Sequence, residues 1–213
     1  MESLFKIYSK LAFTNPTDRS IAISGLESRF ASAFETKVSY GISQRYLHRS
    51  ILWQRSMVKR TERIEYPPDR KVPSWSWMAY EGEISYMDIP FGKVEWSNAI
   101  TWERSEPELQ ALVREFLDCK IEPQEQNAEC DIFAKSAGKI GWLKFDREDI
   151  TDTQRLKYIV VGRAIEERGT YGQVHYVLVV TLLKRGYYER VGVGSIQRRH
   201  ISFKGRGFKA RII

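Results

Sequence analysis

The chain has 213 residues, of which 42% are hydrophobic and 29% charged, and its formal net charge at pH 7 is +7. This composition is typical of a globular protein with one sizeable core or two small ones. The most apolar stretch, YVLVVTLL at 176–183, is far shorter than the about 20 residues that a membrane-spanning helix needs. The first ten residues lack the basic leader and apolar segment of a secretion signal. We therefore expect a cytoplasmic protein with no membrane partner.

Charge is segregated along the chain. Segment 37–71 has nine basic and three acidic residues, segment 103–131 has three basic and nine acidic residues, and segment 194–213 has six basic residues and no acid. This pattern indicates either internal pairing of basic and acidic faces or an anionic partner. The candidate anion-binding residues are Arg198, Arg199, Lys204, Arg206, Lys209 and Arg211.

The first 65 residues predict helices. Leu4, Ile7, Tyr8 and Leu11 recur at helical spacing, so we expect them to form the buried face of a first helix. Asn15-Pro16 ends that helix, and Thr17 or Asp18 is placed to cap the next one.

The second helix has its own apolar stripe. The residues of this stripe, which we expect to be buried, are Ala22, Leu26, Phe30 and Phe34. Gly25 lies inside the same helix, where glycine costs about 1 kcal/mol relative to alanine. A close approach by a neighbouring backbone would explain it.

After Pro73 the sequence is rich in β-branched and aromatic residues separated by Gly, Pro, Asp and Asn, which predicts about eight antiparallel strands. The predicted fold class is α+β: a helical segment, 1–65, packs on a mainly antiparallel β domain, 66–213, that is sandwich-like or barrel-like. Gly192 and Gly194 alternate within a predicted strand, where they indicate a bulge or a bulky neighbour across the sheet. Segment 105–121 fits both an amphipathic helix, with Ser105 and Glu108 as a capping box, and an alternating strand.

No catalytic chemistry is visible in the sequence. Nucleophile motifs, phosphate-binding loops, dinucleotide fingerprints and zinc-ligand spacings do not occur, so we predict no enzyme, no cofactor and no metal. His175 lies in a predicted strand, and we expect it to have a structural role. Cys119 and Cys130 are the only cysteines, and we expect two reduced, unpaired thiols rather than a disulfide.

The stretch PSWSW at 73–77 places two tryptophans two residues apart, after the residue Pro73. In an extended segment, Trp75 and Trp77 lie on one face while Ser74 and Ser76 face the other way. Two such rings form either a clamp between the helical and β segments or an exposed stacking platform for bases or partner side chains. We expect the clamp.

The order of several motifs resembles fungal heterokaryon-incompatibility (HET) proteins, in the region that follows their HET module. These motifs are DRSIAISGLESRF at 18–30, ILW at 51–53, PSWSW at 73–77, YIVVGRA at 158–164 and YERVGVG at 188–194. The resemblance implies that the signature residues are structural, and these are Asp18, Gly25, Trp53, Pro73, Ser74, Trp75, Ser76, Trp77, Tyr188, Arg190 and Gly192. It also implies a strand over about 111–121, since the family commonly has a strand with LDC and then a proline near this point.

The HET module itself is absent from this sequence, so nothing of that module's nucleotide-hydrolysing site carries over. The resemblance implies a C-terminal piece or a truncated relative. The implied function is a non-enzymatic accessory or partner-recognition region of a protein of vegetative incompatibility and programmed cell death. Its expected partner is a HET effector module or another protein. The alternative is a basic module that binds nucleic acid or an anionic surface.

The last residues predict a hairpin rather than a disordered tail. Ile201 and Phe203 alternate, as do Phe208, Ala210 and Ile212, whereas a disordered tail has few such residues. We therefore expect two terminal strands joined by a turn at 205–207.

Overall fold

Runs of β-branched residues in the second half of the chain form a ten-stranded sheet in the computed structural model of this protein. The structure describes residues 1–56, 62–103, 107–124, 129–135, 137–147, 152–166, 172–201 and 207–213. The strands of this sheet are β5 (Val94–Trp96), β6 (Thr101–Trp102), β7 (Leu109–Glu115), β8 (Cys119–Pro123), β9 (Glu129–Ala134), β10 (Gly138–Phe145), β11 (Leu156–Ala164), β12 (Val174–Lys184), β13 (Tyr187–Gln197) and β14 (Phe208–Ile212).

Five strands close into a barrel. Their order is β7, β11, β12, β13 and β14, with β14 pairing back to β7; the β13–β14 pair is parallel and the others are antiparallel. β10, β9 and β8 extend the sheet from the far end of β13. The predicted α+β class with a mainly antiparallel β domain is confirmed, and of the two predicted forms the structure takes the barrel.

The helical segment precedes the barrel. Its described helices are α1 (Glu2–Ser9), α2 (Arg19–Ala22), α3 (Ser24–Ala33) and α4 (Leu47–Ser50). Two small sheets accompany them, formed by β1 (Val38–Ser39) with β2 (Ile42–Ser43) and by β3 (Trp53–Arg55) with β4 (Ile84–Tyr86). The β3–β4 pair spans the predicted boundary at 65/66, and one core contains buried residues from both sides of it. The two segments therefore share a single core.

The face that α1 buries differs from the predicted one. Phe5 and Ser9 are buried, whereas Leu4, Ile7 and Leu11 are 44%, 59% and 52% exposed. Phe5 sets this orientation because its ring packs on two aromatic rings that lie under the helix. The prediction that Leu4, Ile7 and Leu11 face the core is wrong.

The second helix also departs from the prediction. It is divided into α2 and α3, and Ile23 between them is fully buried while Ala22 is exposed. The predicted cap at Asp18 makes no side-chain capping bond; instead Asn15 accepts a hydrogen bond from the Thr17 backbone N–H at 3.4 Å. Gly25 has no atom within 4 Å of where a Cβ would stand, so the predicted close backbone approach is wrong.

The ambiguous segment is a pair of strands. β7 buries Leu109, Ala111 and Val113 in alternation inside the barrel, and a turn at Asp118, whose φ is +53°, leads into β8. The strand prediction is therefore confirmed and the helical alternative is wrong. The single predicted strand is two strands, β7 and β8, in the structure. Ser105, half of the predicted capping box, lies outside the described residues.

The glycines of β13 accommodate a close neighbour strand. A Cβ at Gly192 would lie 2.4 Å from the carbonyl oxygen of Lys144, and one at Gly194 would lie 2.2 Å from that of Trp142. The pairing of β12 with β13 also shifts register at Val191. Both predicted reasons for these glycines, a bulge and a crowding neighbour, therefore apply.

The two cysteines are unpaired, as predicted. Cys130 is buried and Cys119 is half-buried, and burial raises the pKa of both thiols. Both side chains therefore stay in the poorly nucleophilic thiol form at neutral pH.

The chain ends in a strand, but not in the predicted hairpin. β14 lies between β7 and β13, and residues 198–200 form a 3-10 helix. Phe203 and the first residues of the predicted turn lie outside the described residues. Ala210 and Ile212 are buried while Lys209 and Arg211 are exposed, as the alternation predicts, but Phe208, which it also places inside, is 40% exposed.

Deleting residues 208–213 should lower the melting temperature by about 10 °C or more, because β14 closes the barrel and its loss exposes two edges and buried side chains. Thermal unfolding followed by circular dichroism measures this. Lys209→Ser, on the exposed face of the same strand, is the control and should melt like the parent chain. An unchanged melting temperature after the deletion would show that β14 does not hold the barrel closed.

Candidate partner-recognition surface

The tryptophan pair holds the helical segment on the barrel. Both rings are fully buried. The Trp77 ring lies 5.7 Å from that of Phe5 in α1, and the Trp75 ring lies 5.2 Å from that of Trp102 in β6. The clamp interpretation is confirmed, and a stacking platform made by these two rings is excluded because neither is exposed.

The backbone of this motif is a turn and not an extended segment. The Ser76 N–H donates to the carbonyl of Pro73 at 3.0 Å, and Ser76 Oγ accepts from the Met78 N–H at the start of a 3-10 helix, Trp77–Ala79. Ser74 and Ser76 are buried as well. The expected alternation of buried rings and outward serines is therefore wrong, since both hydroxyls bond to backbone groups inside the protein.

Arg190 joins the clamp to the barrel. Its guanidinium is fully buried, stacks 3.5 Å from the Trp53 ring and donates to both carboxylate oxygens of Asp146, at 2.8 and 3.0 Å. It also donates to the carbonyls of Ile51 and Trp53, while the Arg190 backbone N–H donates to Ser74 Oγ at 2.9 Å. Burial raises the pKa of the Asp146 carboxyl, and the Arg190 guanidinium opposes that rise.

The structure thus brings together most of the signature residues. Trp53, Ser74, Trp75 and Arg190 meet at one point, where the Trp53 indole N–H donates to the carbonyl of Trp75 at 2.9 Å. Tyr188 and Gly192 lie elsewhere along β13, and Asp18 and Gly25 are exposed in the helical segment. Asp146 was not predicted, although an acid directly after an apolar strand could have pointed to it.

A second buried arginine, also not predicted, fixes the end of α1. Arg19 lies 5.3 Å from the Trp77 ring and donates to the carbonyls of Ser9, Tyr80 and Gly82. Ser9 Oγ in turn accepts from the Ile84 N–H at 3.0 Å. The inner face of α1 is therefore bonded to the segment after the clamp. Its outer face presents Leu4 and Ile7 to solvent, and Leu11 is exposed just beyond the end of the helix.

We call these three residues the α1 apolar face. Leu4 and Ile7 lie three positions apart on one side of α1, and Leu11 is exposed two residues after the helix ends. Exposed apolar patches of this kind mark surfaces that contact a partner.

The candidate anion-binding residues do not form one patch. Arg198 and Arg199 follow the end of β13, whereas Arg211 pairs with Tyr187 at its beginning, roughly 30 Å away along an eleven-residue strand. Arg211 also lies 3.4 Å from Glu108, and Lys209 is exposed next to it on β14. Lys204 and Arg206 lie outside the described residues.

A cavity with a volume of about 390 Å³ lies between the sheet and the β3–β4 pair. Trp142 and Tyr176 supply flat apolar walls, and Gln54, Glu129 and Gln197 supply polar groups. A mixed lining of this size is suited to a small organic molecule.

His175 is buried in β12, and burial together with the nearby Arg163 and Arg198 lowers its pKa to about 4. The unfolded chain takes up a proton at this side chain near pH 6.5, whereas the folded chain stays neutral there until about pH 4. The free energy of unfolding should therefore fall by about 2–3 kcal/mol as the pH falls through this window.

Urea titrations at pH 7, 5.5 and 4.5 measure the effect, and His175→Asn should flatten this part of the profile. The control is His200→Asn at a more exposed histidine. If the unfolding free energies of His175→Asn and the parent chain depended on pH in the same way, His175 would not be the source of the effect.

Within the parts of the chain that the structure describes, no three His, Cys, Asp or Glu side chains lie together as a metal site would require. None of the helices among these residues is long and apolar enough to cross a membrane. Comparisons with family models, with curated proteins and with solved structures found no match to this chain.

Proposed function

We propose that this chain is a non-enzymatic accessory region of a fungal HET-type non-self recognition protein, and that it acts in the cytoplasm by docking onto a protein partner. The preferred partner is a HET effector module. The motif order described above supports this proposal, and the single observation that carries it is the α1 apolar face.

The α1 apolar face is suited to docking because α1 is held rigidly from behind. Phe5 packs on Trp77, and Ser9 bonds to Arg19 and Ile84. A partner that binds the outer face therefore does not have to order the helix first, and this lowers the entropic cost of association.

The test is a calorimetric titration of the purified chain with a purified HET effector module. We expect a saturable complex that Ile7→Asp weakens about tenfold to a hundredfold, as for the loss of a central interface residue. Leu183→Asp is the matched control, because Leu183 is similarly exposed, at 52%, but lies on β12. This control should bind like the parent chain.

Two results would contradict the proposal. One is the absence of any complex with the HET module, and the other is equal weakening by Ile7→Asp and Leu183→Asp. Saturable binding of an RNA oligomer with a steep salt dependence would instead support the nucleic-acid alternative.

A further inference from the structure

Arg19 is a buried cation whose hydrogen-bond partners are all backbone carbonyls. Its side chain is 3% exposed, and the acceptors are the carbonyl oxygens of Ser9, Tyr80 and Gly82. The Nε–H has no acceptor, and no carboxylate of the described residues lies within ion-pair distance of the guanidinium. Arg190, another buried arginine, has the carboxylate of Asp146.

A buried charge that makes no direct ion pair is unfavourable, since backbone dipoles replace only part of its hydration. The lowered pKa of Arg19 has burial as its main cause and reflects the same imbalance. A ligand that brings a negative charge to this position would therefore gain more electrostatic free energy of binding than a ligand that contacts an arginine exposed to water.

A cavity of about 240 Å³ lies next to this charge. Arg19 forms part of its wall, together with Lys10, Phe13 and Glu81, and Leu11 of the α1 apolar face lines it too. A carboxylate group has about the volume of a few water molecules, at about 30 Å³ each. The cavity is larger than this volume. Leu11 belongs both to the cavity wall and to the α1 apolar face.

The other charges at the cavity leave this position open to an anion. Lys10 forms an ion pair with Glu83 at 3.0 Å. Burial lowers the pKa of Arg19 and the charge of Glu81 opposes this, but Glu81 is exposed to solvent, so water and salt screen both its attraction for Arg19 and its repulsion of an anion. Arg19 is the one charged wall residue that is buried.

We propose that this cavity binds a carboxylate group, presented by a partner segment in which an acidic side chain or a chain terminus lies next to apolar residues. The apolar residues would contact the α1 apolar face while the carboxylate compensates the charge of Arg19. The proposal rests on the proposed function for its partner, but the binding of the carboxylate itself can be tested without that partner.

The Nε–Hε resonance of Arg19 in a nitrogen–proton correlation spectrum reports on the site directly. We expect propionate to shift it saturably, with a dissociation constant in the millimolar range that is typical of a ligand of about five non-hydrogen atoms. Propionamide, which has the same shape without the charge, should bind at least about tenfold more weakly. Equal shifts from propionate and propionamide, or no shift from either, would overturn the proposal.

A matched pair of variants tests the site without disturbing Arg19. Ala12 lines the same cavity and is exposed, so Ala12→Glu tethers a carboxylate there while Ala12→Gln adds the same bulk without charge. Ala12→Glu should melt at a higher temperature than Ala12→Gln and should bind propionate about tenfold more weakly. Identical melting and binding of the two variants would overturn the proposal.

Two capped dipeptides distinguish the sources of the carboxylate. Acetyl-Leu-Asp-amide carries only a side-chain carboxylate, and acetyl-Leu-Leu carries only a terminal one. Saturable binding of either supports the proposal and identifies the source, whereas binding of neither overturns it. If these probes bind but the HET module does not, the carboxylate site stands and the proposed function fails. If the module binds while the probes do not, the proposed function stands and the carboxylate site fails.

Discussion

Arg190→Met will destabilise the folded protein by about 3–5 kcal/mol, because it removes the hydrogen-bonded cation from the buried Asp146 carboxylate. The Ile51 and Trp53 carbonyls lose their donors at the same time. Equilibrium unfolding in urea measures the loss.

The double variant Arg190→Met with Asp146→Leu should lose less stability than Arg190→Met alone, because the buried Asp146 carboxylate is removed together with the Arg190 guanidinium. Arg211→Met, at a half-exposed arginine on β14, is the control and should change the stability by less than about 1 kcal/mol. If the double variant were less stable than Arg190→Met alone, Arg190 and Asp146 would stabilise the protein mainly through their mutual attraction. The explanation that burying the Asp146 carboxylate without Arg190 is costly would then be wrong.

Trp77→Ala should cost about 3–5 kcal/mol, the range for truncating a large buried side chain. Trp77 contacts Phe5, Tyr8 and the guanidinium of Arg19, so the loss should also loosen α1 from the rest of the protein. Urea unfolding followed by far-ultraviolet circular dichroism and by tryptophan fluorescence measures both effects.

Phe91→Ala is the control for this truncation, because Phe91 is 79% exposed and should change stability little. The two probes should give one coincident transition in the parent chain, since the helical segment and the barrel share a core. Separate transitions in the parent chain would show that the clamp does not join them into one unit.

The strands could be predicted well from the sequence, because their pattern is local. In β7, Leu109, Ala111 and Val113 point into the barrel at every second position, and the sequence shows this alternation directly. The tryptophan clamp could also be predicted from the sequence, because two such large apolar rings are seldom both exposed. The pair also lies where the helical pattern gives way to the β pattern.

The buried face of α1 was not predicted, although the helix is amphipathic. Leu4, Ile7 and Tyr8 define the apolar side, whereas the helix buries Phe5, at the edge of that side, together with the polar Ser9. The packing of Phe5 under Trp77 decided which side turned inward, and that contact joins residues 72 positions apart. A local periodicity contains no information about such a partner.

Two of the buried arginines show the same limit. Arg19 and Arg190 look like surface charges in the sequence, and their acceptors lie on distant segments. Likewise, the alternation in β14 predicted a strand but not its neighbours, because pairing depends on the closure of the barrel. The HET resemblance and the function it implies remain predictions.

Amide hydrogen exchange, measured by mass spectrometry on the chain alone and with a HET effector module, tests the central claim most directly. We predict that the module slows exchange in peptides that cover residues 2–19, and that Ile7→Asp abolishes this protection. Protection confined to the β12–β13 hairpin, or none at a module concentration that saturates the calorimetric titration, would contradict docking through the α1 apolar face.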